Sequence, residues 1–384
     1  MGTKLKHFVD SGAFNSFLSS FTAIIIGLVF GLIILLISNP SQAMAGFKVI
    51  LMGGFSGGSK GIGDTLYFAT PIILTGLSVA FAFKTGLFNI GAAGQFVVGS
   101  YFAVYTGIVF TGLGSLQWVF AILAGIIGGA LWGLIPGILK AYRNVNEVIA
   151  TIMMNYIGIY LVNMLVRDDT LLFDTLRNQS KLPHANAILP KMGLDKLFPG
   201  SSANGGFFIA ILAVIVIYIL LNKTTFGYEL KAVGYNRDAS RYAGINEKRS
   251  IILSMAIAGA LAGLGGALLL LAGVGKHLEV VDILPAEGFN GIPVALLGMS
   301  HPVGVFLSAL FISHMGRGGF YLQRLQFVPE IITIITAAIV YFSAFSLVVK
   351  DRITKIRKKI SKDGSRPNAN SEEPDDKNLV EEGQ

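Results

Sequence analysis

The chain runs to 384 residues, 53% hydrophobic and only 14% charged, where a soluble domain carries about a quarter of its residues as charge. Mean hydropathy is +0.66, too apolar for a disordered chain or for a soluble α/β enzyme with a charged shell. The net charge of +8 forms no basic stripe interleaved with aromatics, which argues against nucleic acid as a partner, and the lack of cysteine excludes thiol nucleophiles, disulfides and cysteine-bound metals.

A helix that crosses a bilayer needs about 20 mostly apolar residues. In chain order the candidates are Phe17–Ser38, Thr65–Phe83, Phe88–Phe110, Leu116–Leu139 and Glu147–Val166. Then come Gly206–Asn222, Ser250–Ala272, Leu284–Met299, Pro302–Met315 and Pro329–Val349. The expected class is all-α: a polytopic membrane protein of about ten transmembrane helices. The first span follows Lys4 and Lys6, and Ala43-Met44-Ala45 mimics a signal cleavage site. Its apolar run exceeds the roughly 7–15 residues of a signal core, so it reads as an uncleaved helix. The eighth is interrupted by Gly288, Gly291 and Pro293, which predicts a broken or partly re-entrant helix; Ser300 and His301 form a tight hairpin into the ninth.

With the N-terminus inside, 20 of the 30 Lys and Arg fall on the inner side. Much of the outer remainder lies in one long loop, 167–205, so both termini are expected to be cytoplasmic. The chain divides into a cytoplasmic N-terminus (1–16), a transmembrane domain (17–349) and a cytoplasmic tail (350–384). The tail begins with basic residues around Ile353, Ile356 and Ile360, which suits a surface helix or a plain stop-transfer flank; beyond it the sequence is acidic and reads as disordered.

Five spans on each side of the outer loop give two inverted halves by parity. Gly86-Leu87-Phe88-Asn89-Ile90-Gly91 and Gly288-Phe289-Asn290-Gly291 fall in corresponding spans, a placement that points to a pathway near the midplane. Gly125, Gly129, Gly133 and Gly137 recur every fourth residue, as do Gly27/Gly31 and Gly259/Gly263; close helix packing within the subunit explains them. No phosphate-binding loop or HExxH occurs, so the chain is expected to be no enzyme and to need no cofactor of its own.

Polar and aromatic residues in the spans are then the candidates for a pathway: Phe88, Asn89, Gln95, Asn146, Glu147, Asn155, Glu287, Phe289 and Asn290. Each has a plainer reading. Asn146 and Glu147 suit a helix N-terminus, the amides suit interhelical hydrogen bonds, and phenylalanines mostly face lipid. The inner loop 222–249 is longer than a connector needs; it reads as helical around Tyr228–Val233 and Arg237–Tyr242, with Gly234 and Gly244 breaking or capping those turns.

That loop, GYELKAVGYNRDASRYAGIN, resembles the cytoplasmic loop of permease subunits of ABC importers in the branched-chain amino acid and simple-sugar group. FKTGLFNIGAAGQFVVGSY (Phe83–Tyr101), NVNEVIATIMMNYI (Asn144–Ile157) and GFNGIPVALLG (Gly288–Gly298) are most similar to the bacterial nucleoside branch, notably guanosine-type permeases. The resemblance implies a second permease subunit, identical or paralogous, a cytoplasmic ATPase that uses the ATP, and an extracytoplasmic nucleoside-binding lipoprotein. It also implies a place in the bacterial cytoplasmic membrane. It assigns ATPase docking to Glu229, Ala232, Gly234, Asn236, Gly244 and Ile245, and lipoprotein contact to the outer loop. The alternatives are a ribose or other simple-sugar permease, and a proton-coupled carrier using Glu147 or Glu287.

Overall fold

The computed structural model describes residues 12–328 and 330–344, and the expectations for the N-terminal lysines and the tail lie outside them. The described residues fold into helices α1 (Gly12–Ser38), α2 (Ala43–Met52), α3 (Gly58–Lys84), α4 (Ala92–Val109), α5 (Gln117–Arg143) and α6 (Glu147–Asp168). They continue as α7 (Gly206–Lys223), α8 (Thr225–Tyr235), α9 (Arg237–Tyr242) and α10 (Glu247–Leu270). The last are α11 (Ala286–Phe289), α12 (Gly291–Leu297), α13 (Pro302–Leu322) and α14 (Glu330–Ala344). Eight helices among the described residues are long and apolar enough to cross a membrane. The all-α, polytopic class is as expected. The expected tenth span, 329–349, runs past the described residues, and the eighth is two short helices that meet at Asn290.

Side-chain caps set several helix starts. Asn146 Oδ1 accepts from Val148 N (2.9 Å) for α6, Thr224 Oγ1 from Gly227 N (3.0 Å) for α8, and Asn246 Oδ1 from Arg249 N (3.0 Å) for α10. Each satisfies an amide that the helical ladder leaves open.

Helices α3, α4 and α10 are mostly buried, while α1, α5 and α7 present apolar side chains such as Ile25, Phe30, Ile127, Leu131, Leu212 and Ile219 outward, the pattern of a bundle solvated by lipid. Helix α5 lies on α10 along the four-residue glycine period: Gly125 and Gly129 face Gly259 and Gly263 so closely that the backbones touch. Helix α13 packs on α3, and α1 pairs with α14 through Gly27 against Ile339 and Gly31 against Ile335.

The structure differs from the sequence expectation in three places. Residues 43–57 are helical (α2 and a short 3-10 turn) rather than loop, with Gly46 against Phe327 and Gly54 N donating to His314 Nδ1 at 3.3 Å. Helix α13 continues past Met315 to Leu322, taking Arg317 into the helix. The long loop between α6 and α7 is folded: β1 (Phe173–Asp174) pairs with β2 (Gln179–Ser180), and Ser180 N donates to Leu278 O at 2.8 Å, joining it to the 271–285 segment.

Candidate functional site

Between α3 and α4 the chain leaves the helical ladder at residues 85–91, and backbone polar groups there need partners that lipid cannot supply. Side chains supply them. Asn155, 2% exposed on α6, accepts from Gly94 N at 2.7 Å and donates to Ile90 O at 3.0 Å. Asn89 and Gln95, both essentially buried, exchange two amide hydrogen bonds: Asn89 Nδ2 to Gln95 Oε1 (2.9 Å) and Gln95 Nε2 to Asn89 Oδ1 (3.3 Å). Thr85 and Ser254 hydroxyls meet at 2.8 Å, tying the start of the segment to α10.

The α11–α12 break packs against the same place. Gly288 has no room for a Cβ beside Ala93, and a Cβ on Gly291 would stand 2.5 Å from the Thr75 carbonyl carbon. Thr75 Oγ1 donates to Glu287 O at 3.0 Å. The two interruptions that resemble each other in sequence thus border α3 and the first turn of α4 together.

The structure brings some of the sequence candidates together and separates others. Asn89, Gln95 and Asn155 gather at the first break, with their hydrogen bonds used on one another or on backbone. Phe88 stacks on Phe83 (5.0 Å between centroids, planes 5° apart), and Phe289 is exposed. Asn146 is an exposed cap, and Glu147 pairs with Lys140 at 2.9 Å. Glu287 lies 3.6 Å from Lys276. Asn290 alone of these lines a large cavity.

The Lys140–Glu147 pair is partly solvated, and such pairs contribute about 0–1 kcal/mol. We expect Glu147→Gln to leave the thermal midpoint in detergent nearly unchanged. A large drop would show that the pair is shielded from solvent.

The cavity, about 780 Å³, lies between α3, the α11–α12 break, α13 and α14. Its walls include Phe68, Asn290, Arg317, Phe320, Thr333 and Thr336. Arg317 Nη2 donates to Asp64 Oδ2 at 2.9 Å, and its guanidinium lies over the rings of Phe68 (5.5 Å) and Phe320 (5.1 Å). Asp64, 6% exposed, also accepts from Ser202 N at 2.9 Å, so the folded α6–α7 loop reaches the same ion pair. Sequence reasoning missed this cluster by ending the span at Met315 and counting Arg317 with a loop. The available signal was an arginine followed by Phe320, Tyr321 and Leu322 in an otherwise apolar run.

On the face that carries loop 222–249, α8 sits directly under the first break. A Cβ on Gly234 would stand 2.5 Å from Lys84 O and 2.9 Å from Gly86 N. Gly234 therefore does not break or cap a helix, as its residue type suggests; it lies inside α8, where its missing side chain permits backbone contact. Gly244, with φ +83°, does make the turn after α9. Of the loop candidates, Asn236 and Gly244 are exposed, Glu229 and Ala232 are half-buried, and Ile245 packs on the small core of Ala82, Leu87 and Met255. Tyr228, Tyr235 and Tyr242, seven residues apart, stand outward, 70–94% exposed.

A family model described as the branched-chain amino acid transport system permease component matches residues 61–344. The guanosine ABC transporter permease protein NupP of Bacillus subtilis is 40% identical, over 88% of this chain and 95% of that protein. The nucleoside ABC transporter permease protein NupB of Lactococcus lactis is 38% identical, over 87% and 92% respectively. The glucose ABC transporter permease protein TsgB13 of Haloferax volcanii is 31% identical, over 73% and 75%. No solved structure matches the chain.

Proposed function

The chain belongs to the branched-chain amino acid transport system permease family, and on that premise we infer that it is the permease subunit of a nucleoside importer of the ATP-binding-cassette type. It is a transport component rather than an enzyme. A separate cytoplasmic ATPase hydrolyses ATP, a second permease completes the passage, and an extracytoplasmic lipoprotein delivers the nucleoside. Both termini and the α8–α9 loop face the cytoplasm, as the charge bias of the loops favours.

The observation that carries the mechanism is the backbone contact of Gly234 with Lys84 and Gly86. ATP closes the ATPase dimer, and α8 and α9 move with it through the exposed Tyr235, Asn236 and Tyr242. The motion passes to residues 85–91, which have no helical ladder to resist it. The bundle then opens toward the lipoprotein, and hydrolysis restores the inward state. Pathway residues in this scheme are Phe88, Asn89, Gln95, Asn155, Phe289 and Asn290, with Glu147 and Glu287 held in ion pairs nearby. The folded outer loop carries exposed Leu171, Leu176 and Leu197, an apolar surface suited to the lipoprotein.

The test is uptake of labelled guanosine, uridine and ribose by the assembled importer, with and without its ATPase. Nucleoside uptake that needs the ATPase is expected. Ribose uptake without nucleoside uptake would overturn the substrate, and gradient-driven uptake by this chain alone in proteoliposomes would overturn the coupling.

A further inference from the structure

We propose that the cavity beside Arg317 seats a purine nucleoside and that Arg317 reads the 6-oxo and N7 edge of the base; this rests on the nucleoside reading above. A groove facing only lipid would have apolar walls, since ionisable and amide groups at membrane depth are costly. This one is mostly apolar but carries Arg317, Asn290, Thr333 and Thr336 on three different elements. Its volume of about 780 Å³ lies in the range of small-molecule sites.

The charge balance selects a neutral ligand. Arg317 is paired with Asp64 at 2.9 Å, so the site offers a donor without a net charge, which suits a nucleoside better than a nucleotide. The pairing uses Nη2, and Arg317 lines the cavity beside Asn290 and Phe320. A guanidinium only donates, so it matches an edge that only accepts. Guanine and hypoxanthine present O6 and N7, both acceptors; adenine presents N7 beside an amino donor. Phe320 is exposed on the same cavity wall and offers apolar contact to either purine. Asn290, Thr333 and Thr336 supply groups for the ribose hydroxyls.

The experiment uses cells without their own nucleoside uptake that express the full-length chain with its importer partners. Labelled guanosine, inosine and adenosine are compared in the unaltered chain, Arg317→Lys and Phe320→Ala, with membrane levels measured. Arg317→Lys keeps the charge beside Asp64 and loses the planar fork. It should lower guanosine and inosine uptake about tenfold relative to adenosine. Phe320→Ala should lower all three purines together. A second readout does not depend on Arg317 variants folding: the chain has no cysteine, so Thr333→Cys can be labelled selectively with a maleimide. Guanosine should slow that labelling more than adenosine does. An unchanged guanosine-to-adenosine ratio in Arg317→Lys, or labelling indifferent to guanosine, overturns the inference while leaving the importer reading intact. Failure of the unaltered chain to take up any nucleoside overturns both.

Discussion

Gly234→Val should insert normally, bind its ATPase and lose nucleoside uptake by about 5- to 150-fold, the range spanned by loss of one coupling free energy. A valine Cβ would stand 2.5 Å from Lys84 O and 2.9 Å from Gly86 N, both backbone atoms that cannot rotate away. Helix α8 must therefore lift from the end of α3, loosening Val233 from Ala82 and Leu87, while its own turns stay capped by Thr224 and packed through Leu230. Uptake and ATP hydrolysis measured together in proteoliposomes decide the matter. Hydrolysis that continues without uptake is expected; full uptake in Gly234→Val would show that force does not pass through this contact.

The same geometry explains why the contact is made of glycines on both sides. Gly86 has φ +72°, and its own Cβ position lies 3.2 Å from Gly234 Cα, so neither partner tolerates a side chain. The segment it opens is held by Asn155, Asn89 and Gln95 instead of by a helical ladder. Such a segment can change shape by exchanging a few side-chain hydrogen bonds, whereas moving a continuous helix would break several backbone ones.

Much of this architecture is legible in the residues because membrane helices announce themselves by length and apolarity. Asn146 as a cap and the glycine period on α5 also follow from local chemistry. What hydropathy could not show is pairing over distance. Arg317 lowers the apolarity of α13 enough to suggest an end at Met315, yet Asp64, 253 positions away, offsets the charge and the helix runs on. Gly234 looks like a helix breaker because its reason for being glycine lies on α3. Helix α2, ten residues long and apolar but for Lys48, is too short to cross a membrane and owes its packing to Leu322 at the end of α13 and Phe327 just after it.

Gly129→Leu should prevent the chain from accumulating, and Gly129→Ala should lower its thermal midpoint, while Gly112→Ala changes neither. In lipid there is no hydrophobic gain when helices meet, so α5 and α10 hold together by close backbone packing. A Cβ on Gly129 overlaps Gly259 O and lies 2.8 Å from Gly263 Cα; one on Gly259 or Gly263 meets the α5 backbone in return. Any side chain forces the two axes apart along the whole stripe from Gly125 to Gly133, and α4, wedged against both through Gly99, must move as well. Overpacking a core costs about 1–3 kcal/mol, and a rigid backbone on both sides places leucine at the top of that range or beyond. Gly112, with nothing within 4 Å of its Cβ position, should stay within about 0.5 kcal/mol. The membrane level tests Gly129→Leu, and size-exclusion of detergent extracts after stepwise heating ranks Gly129→Ala against Gly112→Ala. A Gly129→Leu chain as heat-stable as Gly112→Ala would mean that α5 and α10 do not touch along this face.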